Sequence, residues 1–424
     1  MIYAENWSRN SGSLSSNERY DYRGNEMISK QILEDISNSS AIRAMFIEGR
    51  AMAEELGEDN VFDFSLGNPV TSVPESFTKA LQDVTLEEDS INLHGYMDNA
   101  GYKEVRHAVA KNLNQRFDTK FEWNNIIMTV GAAGAINVIL KTLIDPGDEM
   151  MVFAPYFTEY RNYIGNWRGK LVVVEPNYKT FQPNFQDFET KISPKTKAII
   201  INNPVNPTGV IYSEDTIKQI AAILERKQQE YGHEIYIISD EPYRELIYDG
   251  KKTVFLTKYY RNTFVAYSFS KSLSIPGERI GYIVVPNEMA DFKWVMDGLT
   301  IANRICGFIN APSLIQKVIA RCLDEPVDVN YYDRNRKLIY EELTRLGFAC
   351  VKPEGAFYMF IKSPEPNEKQ FIEVAKKHHI ILVNGTTFAC PGYVRLAYCT
   401  SYEMIQRSIP AFEKLAEYYH LKQG

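Results

Sequence analysis

A lysine stands in a run of small hydroxyl residues within AYSFSKSLSIPGERIGYIVV (residues 266–285): Lys271 is flanked by Ser268, Ser270, Ser272 and Ser274, and Arg279 follows eight positions later. Apolar stretches bound the run on both sides, so it reads as the exit of a buried strand. A lysine partly desolvated at such an end has a lowered pKa, which makes it a candidate amine nucleophile for a carbonyl. Ser268, Ser270 and Arg279 can together hold a dianionic phosphate, the arginine through its planar fork. Taken alone, a lysine after a strand is a surface lysine in most proteins.

Three other strand exits carry groups that would complete such chemistry. In IINNPVNPTGVI two prolines stiffen the loop so that the Asn206 amide points steadily at a ligand, although a plain turn before a helix reads equally well. EIYIISDEPYREL ends a strand on Asp240, with Tyr243 three residues on. A carboxylate there needs a cation or hydrogen bonds, and its plainer role is to cap the next helix. IIMTVGAAGAINVILKTLIDPGD runs a strand into Gly131, Ala132, Ala133 and Gly134, whose small size lets backbone N–H groups approach an anion at a helix N-terminus. That motif is weak by itself, because it also suits helix packing. Together the four describe what pyridoxal phosphate needs: a phosphate cradle, a carboxylate for the ring nitrogen, donors for the phenolic oxygen and an amine for the aldehyde.

Short apolar strands separated by helices must position these groups. IIMTV, EMMVFA, KLVVVE, KAIIINN, EIYIISD, TFVAYSFS and IGYIVV are the strand candidates, with helices such as SEDTIKQIAAILERKQQEYG between several of them. This pattern indicates an α/β fold: a three-layer large domain with a mostly parallel sheet, over residues 70–314. Ligands bind beyond the carboxyl ends of such strands. Residues 28–69 and 315–424, with AFYMFI, IILV and YVRLAYC as strands, read as a smaller α+β domain built from both termini. A helical pattern over 28–56, broken around SNSS, stops at Gly57, and residues 1–27 form a polar arm. The composition, 45% hydrophobic, 12% aromatic and 24% charged, is that of a globular core. A net charge of −7 argues against binding nucleic acid or anionic membrane, yet leaves room for a local positive pocket. No run is long and apolar enough to span a membrane, and no signal pattern opens the chain. Cys306, Cys322, Cys350, Cys390 and Cys399 are scattered without paired spacing, which suits reduced thiols in a cytoplasm and no metal site.

The chain resembles the fold-type I, class I/II pyridoxal-phosphate aminotransferases, aspartate-aminotransferase-like, over about residues 35–415. The resemblance rests on FSLGNP, HGYMDNAGYKEVR, TVGAAGA, APYFTEY, NNPVNPTG, SDEPYREL, SFSKSLSIPGERIGY, PEGAFYMF and YVRLAYC, in that order. It implies that Lys271 holds the cofactor and then shuttles a proton at the substrate Cα, with Asp240 on the ring nitrogen and Tyr243 and Asn206 on the ring oxygen. Ser268, Ser270, Arg279 and the backbone of Ala132 and Ala133 would bind phosphate, and Phe157 would stack on the ring. Arg395, assisted by Asn206, would clamp the substrate carboxylate, with the Gly67 backbone against the substrate. Tyr96 would reach the phosphate of a neighbouring subunit, which implies a homodimer with shared sites. Arg43 and Arg304 are the candidates for a distal carboxylate, although both read more readily as surface or structural arginines. The expected activity is ping-pong amino transfer from an L-amino acid, aspartate first and then alanine or an aromatic one, to a 2-oxo acid such as 2-oxoglutarate. A cysteine-sulfur β-lyase of the same fold is the alternative, and a non-catalytic cofactor-binding regulator the remote one.

Overall fold

The computed structural model describes residues 28–37 and 41–421, except for the side chains of residues 34–37 and 41–44. The polar arm read at residues 1–27 lies outside the described residues. The chain divides into two units, residues 1–39 and 40–424. In the first, a helix spans Lys30–Ser37, and Ser29 Oγ accepts the Ile32 N–H at 3.2 Å. The second opens with the helix Ala41–Leu56, which ends where expected: Gly57 has φ +90° and donates its N–H to the Ala53 carbonyl at 2.9 Å. Among the described residues no helix is long and apolar enough to cross a membrane.

A two-residue strand β1 (Phe62–Asp63) precedes a seven-stranded sheet. Its strands are β2 (Ile126–Thr129), β3 (Glu149–Phe153), β4 (Lys170–Val174), β5 (Thr196–Asn202), β6 (Tyr236–Asp240), β7 (Thr263–Ser268) and β8 (Gly281–Val284), in the spatial order β2-β8-β7-β6-β5-β3-β4. From β4 to β7 all pairs are parallel, whereas β8 runs antiparallel to both β7 and β2. Alternate residues feed opposite layers. Met150 and Val152 pack with Ile136 and Ile139 on one face, and Met151 and Phe153 pack with Phe188 and Ile217 on the other. A sheet covered on both faces explains why these strands are near-continuous apolar runs. The helix Glu214–Tyr231 shows the local logic: Ser213 caps its start, Ile217, Ile220, Ala221 and Leu224 are buried as one stripe, and Gly232 closes it at φ +71°.

The register brings the chemically loaded strand ends to one edge. Asn202 pairs with Asp240 and Asp240 with Ala266, so β5, β6 and β7 finish side by side. Gly281 pairs with both Ser268 and Thr129, which adds the exit of β2 to the same edge. The end of β7 bears on the site. TFVAYSFS stops at Ser268, because its Oγ accepts the Ser270 N–H at 3.2 Å and caps a one-turn helix, Phe269–Ser272. Lys271 therefore sits on a helical turn.

The C-terminal part contributes β9 (Tyr358–Lys362), β10 (Ile380–Ile381), β11 (Val383–Asn384) and β12 (Tyr393–Ala397). β11, β12 and β9 form an antiparallel sheet, and β10 pairs in parallel with β1. Phe62 and Phe64 share a core with Tyr332, Ile339, Phe371 and Phe412 from the helices around these strands.

Gly281 is the tightest point of the shared edge: a Cβ there would lie 2.1 Å from the Tyr267 carbonyl oxygen and 3.0 Å from the Gly131 Cα. Gly281→Ala is expected to destabilise the protein by about 2–3 kcal/mol through overpacking against backbone, read as a lowered midpoint in chemical denaturation.

Candidate active site

A cavity of about 270 Å³ opens at this edge. Lys271 enters it from the turn after β7, and its Nζ donates to the Gly67 carbonyl at 2.7 Å. Burial pulls the pKa of this amine down to about 8, and Arg279 and Arg395 add to the fall.

Asp240 faces the same cavity from the tip of β6. Tyr160 donates its hydroxyl to Asp240 Oδ2 at 2.5 Å, and Asn202 Nδ2 donates to the Asp240 backbone carbonyl at 3.0 Å. Oδ1 is buried and has no hydrogen-bond partner among the described residues. Burial pushes this carboxyl up to about 7, against the Tyr160 hydrogen bond, and Glu241 adds to the rise.

One end of the cavity is built for an anion. The helix Gly131–Leu143 starts at the exit of β2 with Ala132 and Ala133 on the cavity wall. Gly131 has φ +75°, which favours glycine, and Arg279 Nη2 lies 2.8 Å from where a Cβ would be, so the guanidinium lies over the helix start. Arg279 is fixed there by donating Nη1 to the Pro276 carbonyl at 2.9 Å and Nη2 to the Val130 carbonyl at 3.3 Å. Ser268 and Ser270 complete this end, their hydroxyls 2.7 Å apart.

A second guanidinium lines the cavity. Arg395, on β12, is 2% exposed. Its Nη1 donates to Asn206 Oδ1 at 3.1 Å and its Nη2 to the Ser65 carbonyl at 2.5 Å, and its guanidinium lies 4.6 Å from the Tyr358 ring centroid and 5.0 Å from that of Phe388. Its Nε has no partner, and no carboxylate pairs with it among the described residues. Asn206 is held in turn by its backbone N–H, which donates to Asn202 Oδ1 at 2.7 Å. Tyr243 lines the wall between Asp240 and Arg395, with its hydroxyl 2.8 Å from that of Tyr358.

The family model for class I and II aminotransferases matches residues 59–412. An amino transferase of Eubacterium rectale is 44% identical and superposes with a TM-score of 0.90, covering 93% of this chain and 99% of that one. A probable aspartate/prephenate aminotransferase of Aquifex aeolicus is 32% identical over 383 residues, 87% of this chain and 94% of the relative. The aspartate aminotransferase of Thermus thermophilus, solved with maleate, superposes with a TM-score of 0.79 at 26% identity, covering 89% of this chain and 96% of that one. The chain belongs to this aminotransferase family.

In this transaminase the cavity gathers Lys271, Asp240, Tyr243, Ala132, Ala133, Phe157, Asn206, Ser268, Ser270, Arg279, Gly67 and Arg395 from the sequence reading. Tyr96 does not line it and is 93% exposed. Arg304 is also exposed and off the cavity, at the start of a wide turn, Arg304–Phe308. The Arg43 side chain lies outside the described residues. Sequence reasoning missed Tyr160, Tyr163, Asn202, Ser65 and Tyr358. Tyr160 and Tyr163 are three apart on the helix Glu159–Asn166, a spacing that shares one face, and that was the available signal.

The raised carboxyl of Asp240 has a signed consequence. Between about pH 4 and pH 7 the folded, ligand-free protein keeps a proton on Asp240 that the unfolded chain has lost, so this group lowers stability as pH rises through that window. The thermal midpoint of ligand-free Asp240→Asn is expected to fall less steeply between about pH 5 and 7.5 than that of the parent. Superimposable profiles would contradict the burial argument.

Proposed function

We propose that the cavity binds pyridoxal 5′-phosphate and transfers an amino group from an L-amino acid to a 2-oxo acid by a ping-pong route. The observation that carries this reading is Asp240, which lines the same cavity as an amine of lowered pKa and whose buried Oδ1 has no partner among the described residues. A protonated ring nitrogen supplies the donor that Oδ1 lacks, and its charge would draw the carboxyl back to its ionised form. The helix start with Ser268, Ser270 and Arg279 suits the phosphate, Phe157 suits one ring face, and Lys271 suits the aldehyde. The donor set therefore fits the group.

When bound, pyridoxal phosphate supplies an electron-withdrawing ring that stabilises negative charge developing at the substrate Cα. Arg395 receives the substrate carboxylate. Asn206 and the Ser65 carbonyl orient its fork, and the Tyr358 and Phe388 rings leave it little freedom to swing. Lys271 Nζ, whose pKa burial draws down to about 8, is the group that would take the Cα proton and hold it for return. Tyr243 and the Asn206 amide, which line the same cavity, would hold the ring oxygen.

We read the working unit as a homodimer. Tyr96 is exposed alongside Ile301, Ile305 and Ile309, and Asn99 Nδ2 ties the two loops by donating to the Ile309 carbonyl at 2.8 Å. Such an apolar patch suits a second copy, to whose phosphate end Tyr96 would reach. Aspartate remains the preferred donor, which the names of the relatives support, and 2-oxoglutarate the preferred acceptor. Their distal carboxylate would draw on Arg43 or on Arg304 of the second copy. The grouping of the segment around β1 with the C-terminal residues is supported by the core that joins Phe62 and Phe64 to the C-terminal helices, and the protein is read as cytoplasmic.

Lys271→Ala is expected to remove the visible absorbance of bound pyridoxal phosphate and to lower kcat by more than about 10⁴-fold. Arg395→Ala is expected to raise KM for amino acids about 100-fold while leaving that absorbance in place. Mixing the loaded enzyme with one amino acid at a time, without oxo acid, reads donor preference from the spectral change. Full turnover in Lys271→Ala would end the proposal.

A further inference from the structure

Tyr358 meets three groups of the site at once. Its hydroxyl is 2.8 Å from that of Tyr243. A Cβ on Gly67 would fall 1.9 Å from the same oxygen, so the phenol packs directly on the backbone whose carbonyl accepts from Lys271. Its ring lies under the Arg395 guanidinium, centroid to carbon 4.6 Å. Register explains the last contact: Arg395 pairs with Phe360 and Tyr358 with Ala397, so Tyr358 and Arg395 are diagonal neighbours on one face of the antiparallel pair.

The two phenols share one hydrogen bond, which either oxygen could give. Each phenol has a single proton, so when Tyr243 gives its own to the ring oxygen it must accept from the Tyr358 O–H. Burial raises both hydroxyls, and Arg395 pulls both back. A donor that itself accepts a hydrogen bond becomes a stronger donor. The other titratable groups that bear on the pair are Arg395, Asp240 and Cys399, and Tyr358→Phe leaves all three side chains in place with the ring still under Arg395.

We infer that Tyr358 is a positioning residue with two separable jobs: its hydroxyl strengthens the hydrogen bond that Tyr243 gives to the ring oxygen of pyridoxal phosphate, and its ring fixes Arg395 for the substrate carboxylate. The inference rests on the pyridoxal-phosphate reading of the cavity. Gly67 is part of the same device, because no larger residue leaves room for the phenol.

The test is a pH titration of the visible absorbance of the loaded enzyme, with steady-state kinetics alongside. Tyr358→Phe keeps the ring and removes only the donor. Weaker donation leaves more negative charge on the ring oxygen, which holds the neighbouring proton on the Lys271 nitrogen more tightly, so the midpoint rises by about half a pH unit. 3-Fluorotyrosine at position 358, a more acidic phenol of nearly the same shape, moves it down. Tyr243→Phe shifts the midpoint at least as far as Tyr358→Phe, and the double variant matches Tyr243→Phe alone. KM for the amino acid stays within about twofold in Tyr358→Phe and rises about tenfold in Tyr358→Leu, which lacks the ring. The inference is overturned if the Tyr358→Phe midpoint equals the parent's, if its shift persists in the Tyr243→Phe background, or if Tyr358→Leu and Tyr358→Phe share one KM. A parent protein with no visible band after incubation with pyridoxal phosphate would instead remove the cofactor reading itself.

Discussion

Asp240 is a carboxylate buried at the tip of a parallel strand, with one oxygen held by Tyr160 and the other without a partner among the described residues. Burying a carboxylate costs several kcal/mol unless a cation or a full set of hydrogen bonds offsets it. The fold tolerates this because β5, β6 and β7 hold Asp240 in place whether or not it is satisfied: Asn202 and Ala266 flank it in register. The group is therefore fixed before any ligand arrives, and the rest of the cavity is arranged about it. Arg279, Arg395 and Lys271 all line its wall. Three cations against one carboxylate give a local positive balance within a chain of net charge −7, which suits a ligand pair carrying a phosphate and a carboxylate.

The C-terminal strands supply what the large sheet cannot. Arg395 is buried on β12, and two aromatic rings and two oxygen acceptors constrain its planar fork. One acceptor, the Ser65 carbonyl, comes from the segment just after β1, and β1 pairs with β10. The arginine is thus oriented by segments far apart in sequence. Its order comes from packing and backbone geometry, and its charge stays available because no carboxylate pairs with it among the described residues.

Much of the site was legible because strand exits in an α/β sheet are short, and each carried its chemistry within a few residues of an apolar run. Lys271, Asp240, Asn206 and the glycine-alanine helix start could all be read that way. The tyrosines could not. Tyr160, Tyr163 and Tyr358 are spaced like ordinary core aromatics, and nothing in APYFTEYRNYIGN or AFYMFI tells a hydroxyl aimed at a carboxylate from one aimed at solvent. Ser65 was hidden for another reason: it acts through its backbone carbonyl, which every residue has. Tyr96 was readable only by resemblance, and in the single chain it is exposed.

The sequence by itself determined the layer pattern, the helix end at Gly57, and the set of charged groups at strand exits. These depend on periodicity and on backbone preferences that act over a few residues. Tertiary structure alone decided which groups meet. The β5–β6–β7 register aligned the exits, and β8 added β2 to them by running antiparallel. The diagonal of β9 and β12 set Tyr358 beneath Arg395, and Gly67 left space for its hydroxyl. Such contacts join residues that are distant in the chain, so their geometry follows from pairing register and close packing, which no local stretch of sequence encodes.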